Sequence, residues 1–204
     1  MTKKITTTYI LHGGYISGMT DTQNAKFRDV ILDKLNGKKP RVAFIPFAGP
    51  RETWEGKFAK NADFMERLFD DNYEAKLVLP DAFRKAIAWA NVVLIKGGDD
   101  VLLAHYLNQF KDLREMFSGK IIIGSSAGAD YLSKIFWTGD WREIMDGRGL
   151  VDVAMIPHFG GEYGGDDPRG PINWEEAEQE LRAATDLPVH LIREGEFEVF
   201  EVES

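Results

Sequence analysis

The residues with the clearest chemistry are one serine and a small set of partners that could activate it. Ser126 sits in Gly124-Ser125-Ser126-Ala127-Gly128, directly after the apolar run Lys120-Ile121-Ile122-Ile123 and directly before a helix-like stretch. A G-x-S-x-G pattern between a strand and a helix predicts a nucleophile elbow, a sharp turn that lifts a hydroxyl above the edge of a sheet. Gly124 and Gly128 suit that turn, because a side chain at either position would collide with the tight reversal. The backbone N–H of Ala127 would then point at whatever the hydroxyl attacks. A serine hydroxyl is a weak nucleophile until a base takes its proton, so a histidine is needed.

Four histidines are available. His105 lies mid-helix in Ala104-His105-Tyr106, and His190 lies inside a late strand, where a structural role fits it better. His12 and His158 both close strands. His158 ends Val153-Ala154-Met155-Ile156-Pro157 and opens a long glycine-rich stretch, Gly160 to Gly170, of the kind that often carries function. It is the favoured base, and His12 is left as a pocket-lining residue or a helix cap. A carboxylate usually orients such an imidazole. Glu194, directly after Val189–Arg193, ends a strand on the same edge, while Asp140, Asp146 and Asp152 are rivals lying between serine and histidine in the chain. The helix after the elbow should carry the chain to the opposite edge, which counts against residues soon after Phe136, and Asp152 precedes its strand. Acyl transfer also needs donors for a developing oxyanion. The Ala127 N–H would be one, and Gly97-Gly98 could supply another, although a turn before an aspartate-capped helix explains Gly97-Gly98-Asp99-Asp100 equally well.

These residues must be held by the elements around them. Short β-branched runs alternate with longer amphipathic ones, the pattern of a parallel sheet flanked by helices. Strands are expected at Thr7–Leu11, Arg41–Phe47, Glu74–Leu79, Val92–Lys96, Lys120–Gly124, Val153–Ile156, Val189–Arg193 and Glu196–Val202. Helices are expected at Thr22–Leu35, Thr53–Phe69, Ala82–Trp89, Val101–Phe117, Ala127–Phe136 and Trp174–Ala184, with Asp81 and Asn173 as N-caps. This predicts one doubly wound α/β domain over residues 1–204, its mostly parallel sheet carrying helices on both faces. In such sheets ligands bind beyond the carboxyl ends of the strands. Nearly every predicted end carries glycine there.

Composition narrows the function. Lys and Arg total 25 against 33 for Asp and Glu, a net charge of −8. No basic stretch could track a phosphate backbone, which argues against nucleic acid as a partner. The absence of cysteine removes disulfides, thiolate metal sites and a cysteine nucleophile. No apolar run approaches the roughly 20 residues that span a bilayer. The amino terminus lacks the apolar core of a signal peptide. A cytoplasmic protein without cofactor or metal, acting on a small peptide, is expected, with a homodimer left open.

The stretches Val42-Ala43-Phe44-Ile45-Pro46-Phe47-Ala48-Gly49, Gly97-Gly98-Asp99, Gly124-Ser125-Ser126-Ala127-Gly128-Ala129, Pro157-His158-Phe159 and Arg193-Glu194-Gly195 together resemble peptidase E (aspartyl dipeptidase) and cyanophycinase, a family of serine peptidases. The resemblance implies a fold like that of class I glutamine amidotransferases, with serine in place of cysteine. It implies Ser126 as nucleophile, His158 as base, Glu194 as third member, and the Gly98 and Ala127 amides as oxyanion hole. The order Ser…His…Glu differs from that of α/β-hydrolases. Peptidase E reads an amino-terminal aspartate through an arginine. Arg169 is the only candidate here, in a segment where Glu162, Asp166 and Asp167 would repel an acidic substrate, which argues against strict Asp-X specificity. A non-catalytic amidotransferase-like binding module and a hydrolase of other amides or esters are the alternative functions.

Overall fold

The computed structural model describes residues 4–163 and 167–203; Asp166, counted above among the acids of its loop, lies outside the described residues. The chain opens with β1 (Thr6–His12), α1 (Asp21–Leu35) and β2 (Arg41–Ile45). There follow α2 (Trp54–Lys60), α3 (Ala62–Phe69), β3 (Glu74–Leu77), α4 (Phe83–Trp89) and β4 (Val92–Ile95). Next come α5 (Asp100–Leu107), α6 (Leu113–Phe117), β5 (Ile121–Ser125) and α7 (Ala127–Leu132). The last part holds β6 (Ile135–Thr138), β7 (Glu143–Asp146), β8 (Ala154–Ile156), α8 (Trp174–Ala184), β9 (Val189–Leu191) and β10 (Phe197–Glu203).

The architecture is α/β, with mostly parallel sheets flanked by helices. The expected single sheet is divided in two. Six strands run in the order β10-β1-β5-β4-β2-β3, all parallel but β10, which is antiparallel to β1. Four more run β7-β6-β8-β9, with β7 antiparallel to β6. Alternation along the central strands explains why the large sheet is covered on both sides. Ile122, Val93 and Ile95 pack into a core with α4 to α7, through Phe83, Leu103, Phe117 and Leu132. Ile121, Ile123, Val92 and Leu94 pack on the other face against α1 and α3, through Phe27, Ile31, Phe64 and Leu68. Each such fully buried side chain contributes about 1.5–3 kcal/mol through the area it removes from water. A smaller core joins the second sheet to α8 through Trp137, Ile156, Ala177 and Leu181.

Three expected helices are corrected. The helix over Thr53–Phe69 breaks at the buried Asn61, whose side-chain amide donates to the Lys57 carbonyl at 2.8 Å and competes with the backbone ladder. The helix over Val101–Phe117 is interrupted between Leu107 and Leu113. The helix expected to reach Phe136 ends at Leu132, where the Ser133 hydroxyl donates to the Asp130 carbonyl at 2.8 Å and the backbone turns extended. The β-branched and aromatic run Ile135-Phe136-Trp137-Thr138 then enters a strand and pairs with β7, which sequence reasoning did not find. Of the expected caps, Asn173 accepts from the Glu176 N–H at 3.3 Å, whereas Asp81 sits in a 3-10 turn before α4 and caps nothing. Among the described residues, no helix is long and apolar enough to cross a membrane.

Candidate active site

The carboxyl ends of β1, β5 and β4 lie side by side, with His12 level with Ser125 and Ile95 level with Gly124. Ser126 follows β5 at φ 53° and ψ −123°, a conformation costly for any residue with a side chain, and α7 begins at the next residue. The neighbours over-determine it. The Ser126 N–H donates to the His12 carbonyl at 2.9 Å, and the Ser126 carbonyl accepts from Ala129 at 2.6 Å and Asp130 at 3.0 Å. Gly97 backs onto the serine, for a Cβ there would stand 3.3 Å from Ser126 Oγ. Beyond it, Gly98 has φ +145°, and the Asp99 N–H donates to the Ala48 carbonyl at 2.8 Å. Asp99 Oδ1 caps α5 by accepting from Leu102 at 2.8 Å. Ala127 is the first residue of α7, so its N–H has no partner within that helix.

The second sheet brings the other groups to the same place. His158 follows β8 in the left-handed region (φ 56°), and its N–H donates to the Gly13 carbonyl at 2.8 Å. Gly195, next to Glu194, donates to the Gly14 carbonyl at 3.1 Å, so the end of β1 ties down both residues. The result is a continuous chain of hydrogen bonds. Glu194 Oε1 accepts from His158 Nδ1 at 2.7 Å, and His158 Nε2 lies 2.9 Å from Ser126 Oγ. With the proton held on Nδ1 by the carboxylate, the Nε2 lone pair faces the hydroxyl. The His158 ring is buried, and Tyr163 stacks on it at 4.2 Å between centroids.

The structure therefore brings Ser126, His158 and Glu194 together, with Gly98 and Ala127 beside them. Asp140 is corrected in position. It does not lie on the opposite edge, because β6 turns the chain back, and its Oδ1 accepts from the Tyr163 hydroxyl at 2.6 Å. Burial, together with this bond and the Asp140 charge, pushes the Tyr163 phenol well above its ordinary range. His12 is corrected too. It caps no helix among the described residues and is fully buried, with its ring packed against Phe27 and Phe197, which also touch each other. Its Nδ1 accepts from the Gly14 N–H at 3.1 Å, and its Nε2 meets Met19 Sδ at 3.2 Å. Burial, then the charge of Lys96 and His158, lowers its pKa to about 3, so it stays neutral.

Arg169 is likewise not a free cation in the site. Its guanidinium is exposed and taken up by Asp167, at 2.9 Å from Nε to Oδ1, and by the Asp140 carbonyl at 2.7 Å. That pairing holds the Asp167 carboxyl well below its usual range. His190 pairs with Glu198 at 2.5 Å, away from the serine. Sequence reasoning missed Tyr163, which has no local motif, and Lys96, whose position before Gly97-Gly98 at a strand end was a usable signal. Lys96 makes no side-chain hydrogen bond or ion pair among the described residues, and burial, reinforced by Lys57, lowers its pKa to about 8. No group of three or more His, Asp or Glu side chains able to hold a metal ion occurs among the described residues.

Comparison with known proteins adds a second line. The model of peptidase family S51 matches residues 10–201. Peptidase E of Salmonella typhimurium is 30% identical over 139 residues, which cover 64% of this chain and 59% of that protein. Peptidase E of Citrobacter koseri is 29% identical over a stretch of the same length. The chain thus spans 59% of the length of these relatives. Among solved structures, a peptidase from an acI-B1 Actinobacterium superposes with a TM-score of 0.70 at 22% identity, over 97% of this chain and 84% of that one. A Listeria monocytogenes EGD-e protein named for peptidase E gives 0.64 at 16% identity, over 98% and 99% of the two chains. At these identities the structural likeness speaks for the fold.

Proposed function

Since the chain belongs to peptidase family S51, we propose that it is a serine peptidase that hydrolyses dipeptides or other short peptides through an acyl-enzyme. The observation that carries the reading is the unbroken Glu194–His158–Ser126 hydrogen-bond chain, at 2.7 and 2.9 Å. Ser126 is the nucleophile, placed on an elbow by its positive φ. Its Oγ attacks the scissile carbonyl while His158 Nε2 takes the hydroxyl proton. The imidazolium so formed is stabilised by Glu194, which also fixes the tautomer. The negative charge on the carbonyl oxygen is met by the N–H groups of Gly98 and Ala127, which stand ready without reorganisation. His158 then gives its proton to the leaving amine, and water, deprotonated by the same nitrogen, cleaves the acyl-serine.

Specificity for an amino-terminal aspartate does not fit this site. Arg169 is engaged by Asp167, and Asp140 lies behind Tyr163 beside the base. The test is direct. Wild-type protein should cleave members of a dipeptide library and react with a fluorophosphonate at Ser126, and Ser126→Ala should lose both. Undiminished cleavage by that variant would overturn the mechanism.

A further inference from the structure

Serine, histidine and carboxylate all rest on one tripeptide, His12-Gly13-Gly14, at the end of β1. The His12 carbonyl accepts from the Ser126 N–H at 2.9 Å, and the Gly13 carbonyl accepts from the His158 N–H at 2.8 Å. The Gly14 carbonyl accepts from Gly195, next to Glu194, at 3.1 Å, and the Gly13 N–H donates to the Glu196 carbonyl at 3.0 Å. The fit is steric as well. A Cβ on Gly13 would stand 2.2 Å from the Arg193 carbonyl oxygen, and one on Gly14 would stand 2.1 Å from His158 Cε1. Close approach therefore demands two adjacent glycines, which are also the least restrained residues a chain can place there.

The His12 side chain supplies the restraint. Its Nδ1 accepts from the Gly14 N–H at 3.1 Å, the one hydrogen bond that this N–H makes among the described residues. In a neutral imidazole one nitrogen accepts and the other donates, so the proton sits on Nε2. There it meets Met19 Sδ at 3.2 Å, and the Met19 carbonyl accepts from Asn24 Nδ2 at 2.9 Å. The ring is fully buried, out of reach of any substrate. Burial, then the charges of Lys96 and His158, keeps it neutral, so Nδ1 remains an acceptor wherever an imidazole base is active. Packing alone does not account for an imidazole here. A hydrocarbon of similar size would fill the space against Phe27 and Phe197 without burying two polar nitrogens. What the imidazole adds is an acceptor aimed at Gly14.

Resting on the peptidase reading, we propose that His12 is a positioning residue for catalysis, its Nδ1 fixing the Gly14 N–H and with it the turn on which the His158 ring and the Glu194 segment are set. It touches neither substrate nor reacting atoms. It acts through Gly14, which is packed against the base, so losing the acceptor lets the turn relax and shifts His158 Nε2 relative to Ser126 Oγ. The effect falls on the chemical step and not on substrate binding.

The experiment compares wild type, His12→Leu, His12→Asn and Ile31→Ala by dipeptide cleavage, rate of fluorophosphonate labelling and Tm. Leu fills the space without an acceptor, whereas the Asn amide oxygen can take the place of Nδ1. Ile31 is buried in the same core on α1 and reports lost stability alone. His12→Leu should lower kcat and labelling rate by about tenfold or more, with KM within about twofold, the scale set by misplacing a catalytic group by up to about 1 Å. His12→Asn should recover most of both, and Ile31→Ala should lower Tm while kcat stays unchanged. An undiminished kcat in His12→Leu, an equal loss in His12→Asn, or a matching loss in Ile31→Ala overturns the positioning role. Nitrogen NMR of histidine-labelled wild type needs neither a variant nor turnover. It should show His12 protonated on Nε2 and His158 on Nδ1, and a proton on His12 Nδ1 overturns the proposal whether or not His12→Leu folds. Wild type that neither cleaves nor labels, with a His158 Nδ1 proton signal lost in His12→Leu and kept in His12→Asn, sinks the peptidase reading and leaves the positioning of His158 intact. Full cleavage by His12→Leu does the reverse.

Discussion

Gly14 is pressed against the imidazole of His158, so closely that a Cβ on Gly14 would lie 2.1 Å from Cε1 of that ring. Gly14 also has φ +111°, where any side chain is strained. Gly14→Ala must therefore displace the base as well as strain the turn. A shift of about 1 Å at a catalytic group costs on the order of 10²-fold. The expected result is a kcat reduced by about that factor, with a Tm lowered by the strain. Steady-state kinetics beside thermal unfolding checks it, and an unchanged kcat would show that the ring position is not critical.

Glu194 and Asp140 are separated by what they touch. Glu194 bonds to His158 directly, whereas the Asp140 carboxylate accepts from the Tyr163 hydroxyl behind the ring. Glu194→Gln should lower kcat by about 10²–10⁴-fold with little change in KM, because the wrong tautomer is then favoured. Asp140→Asn should cost less than about tenfold, since it loses one hydrogen bond of a stacked neighbour. Equal losses in the two variants would shift the orienting role toward Asp140.

The buried His12 makes stability depend on acid. Its pKa is about 3 in the folded protein against 6.5 ordinarily, so between those values the unfolded chain binds a proton that the folded one refuses. Stability therefore falls as pH drops from 6.5 toward 3, by up to roughly 5 kcal/mol from this residue. Asp100 acts in the opposite sense. Its pKa is raised to about 6 from 3.8, so its contribution is full below 3.8 and lost as pH rises through 6. Urea unfolding at pH 6.5 and 4.5 should show a smaller acid loss in His12→Asn than in wild type. Parallel curves for the two would exclude His12 as the source.

Lys96 stands at the end of β4 with no carboxylate paired to it among the described residues, and Lys57 adds repulsion. Removing such a charge relieves an unrepaid desolvation cost. Lys96→Met is expected to raise Tm at pH 7 by roughly 2–4 °C, the shift that about 1 kcal/mol gives in a domain of this size. The gain should shrink above pH 8, where wild-type Lys96 is already neutral. A calorimetric scan at pH 7 and pH 9 measures both, and a lower Tm for the variant at pH 7 would show that the ammonium is held favourably.

Much of this arrangement was legible in the chain because parallel sheets impose a simple rule. Ser126, His158 and Glu194 each stand just beyond an apolar, β-branched run, and the carboxyl ends of parallel strands gather along one edge. The elbow was also local, fixed by small residues around one turn. What failed was the stretch after Leu132. There a helix of six residues gives way to a strand within three positions, and four residues such as Ile135–Thr138 carry too little periodicity to separate the two. That one misreading hid the second sheet, and with it the side of the molecule on which Asp140 falls. His12 misled for another reason. Its position at a strand end is that of a ligand-facing residue, but alternation turns its ring inward against Phe27 and Phe197.

By itself, then, the sequence determined the α/β class, the strand–turn–helix at Ser126 and the short set of groups from which its partners must come, since all of these follow from local pattern and glycine placement. Tertiary structure alone decided which carboxylate meets His158, that Arg169 is occupied, and that Asp100 is buried with one oxygen on Thr138. Those are distances between segments far apart in the chain, set by how two sheets meet at the end of β1, and no local pattern encodes them.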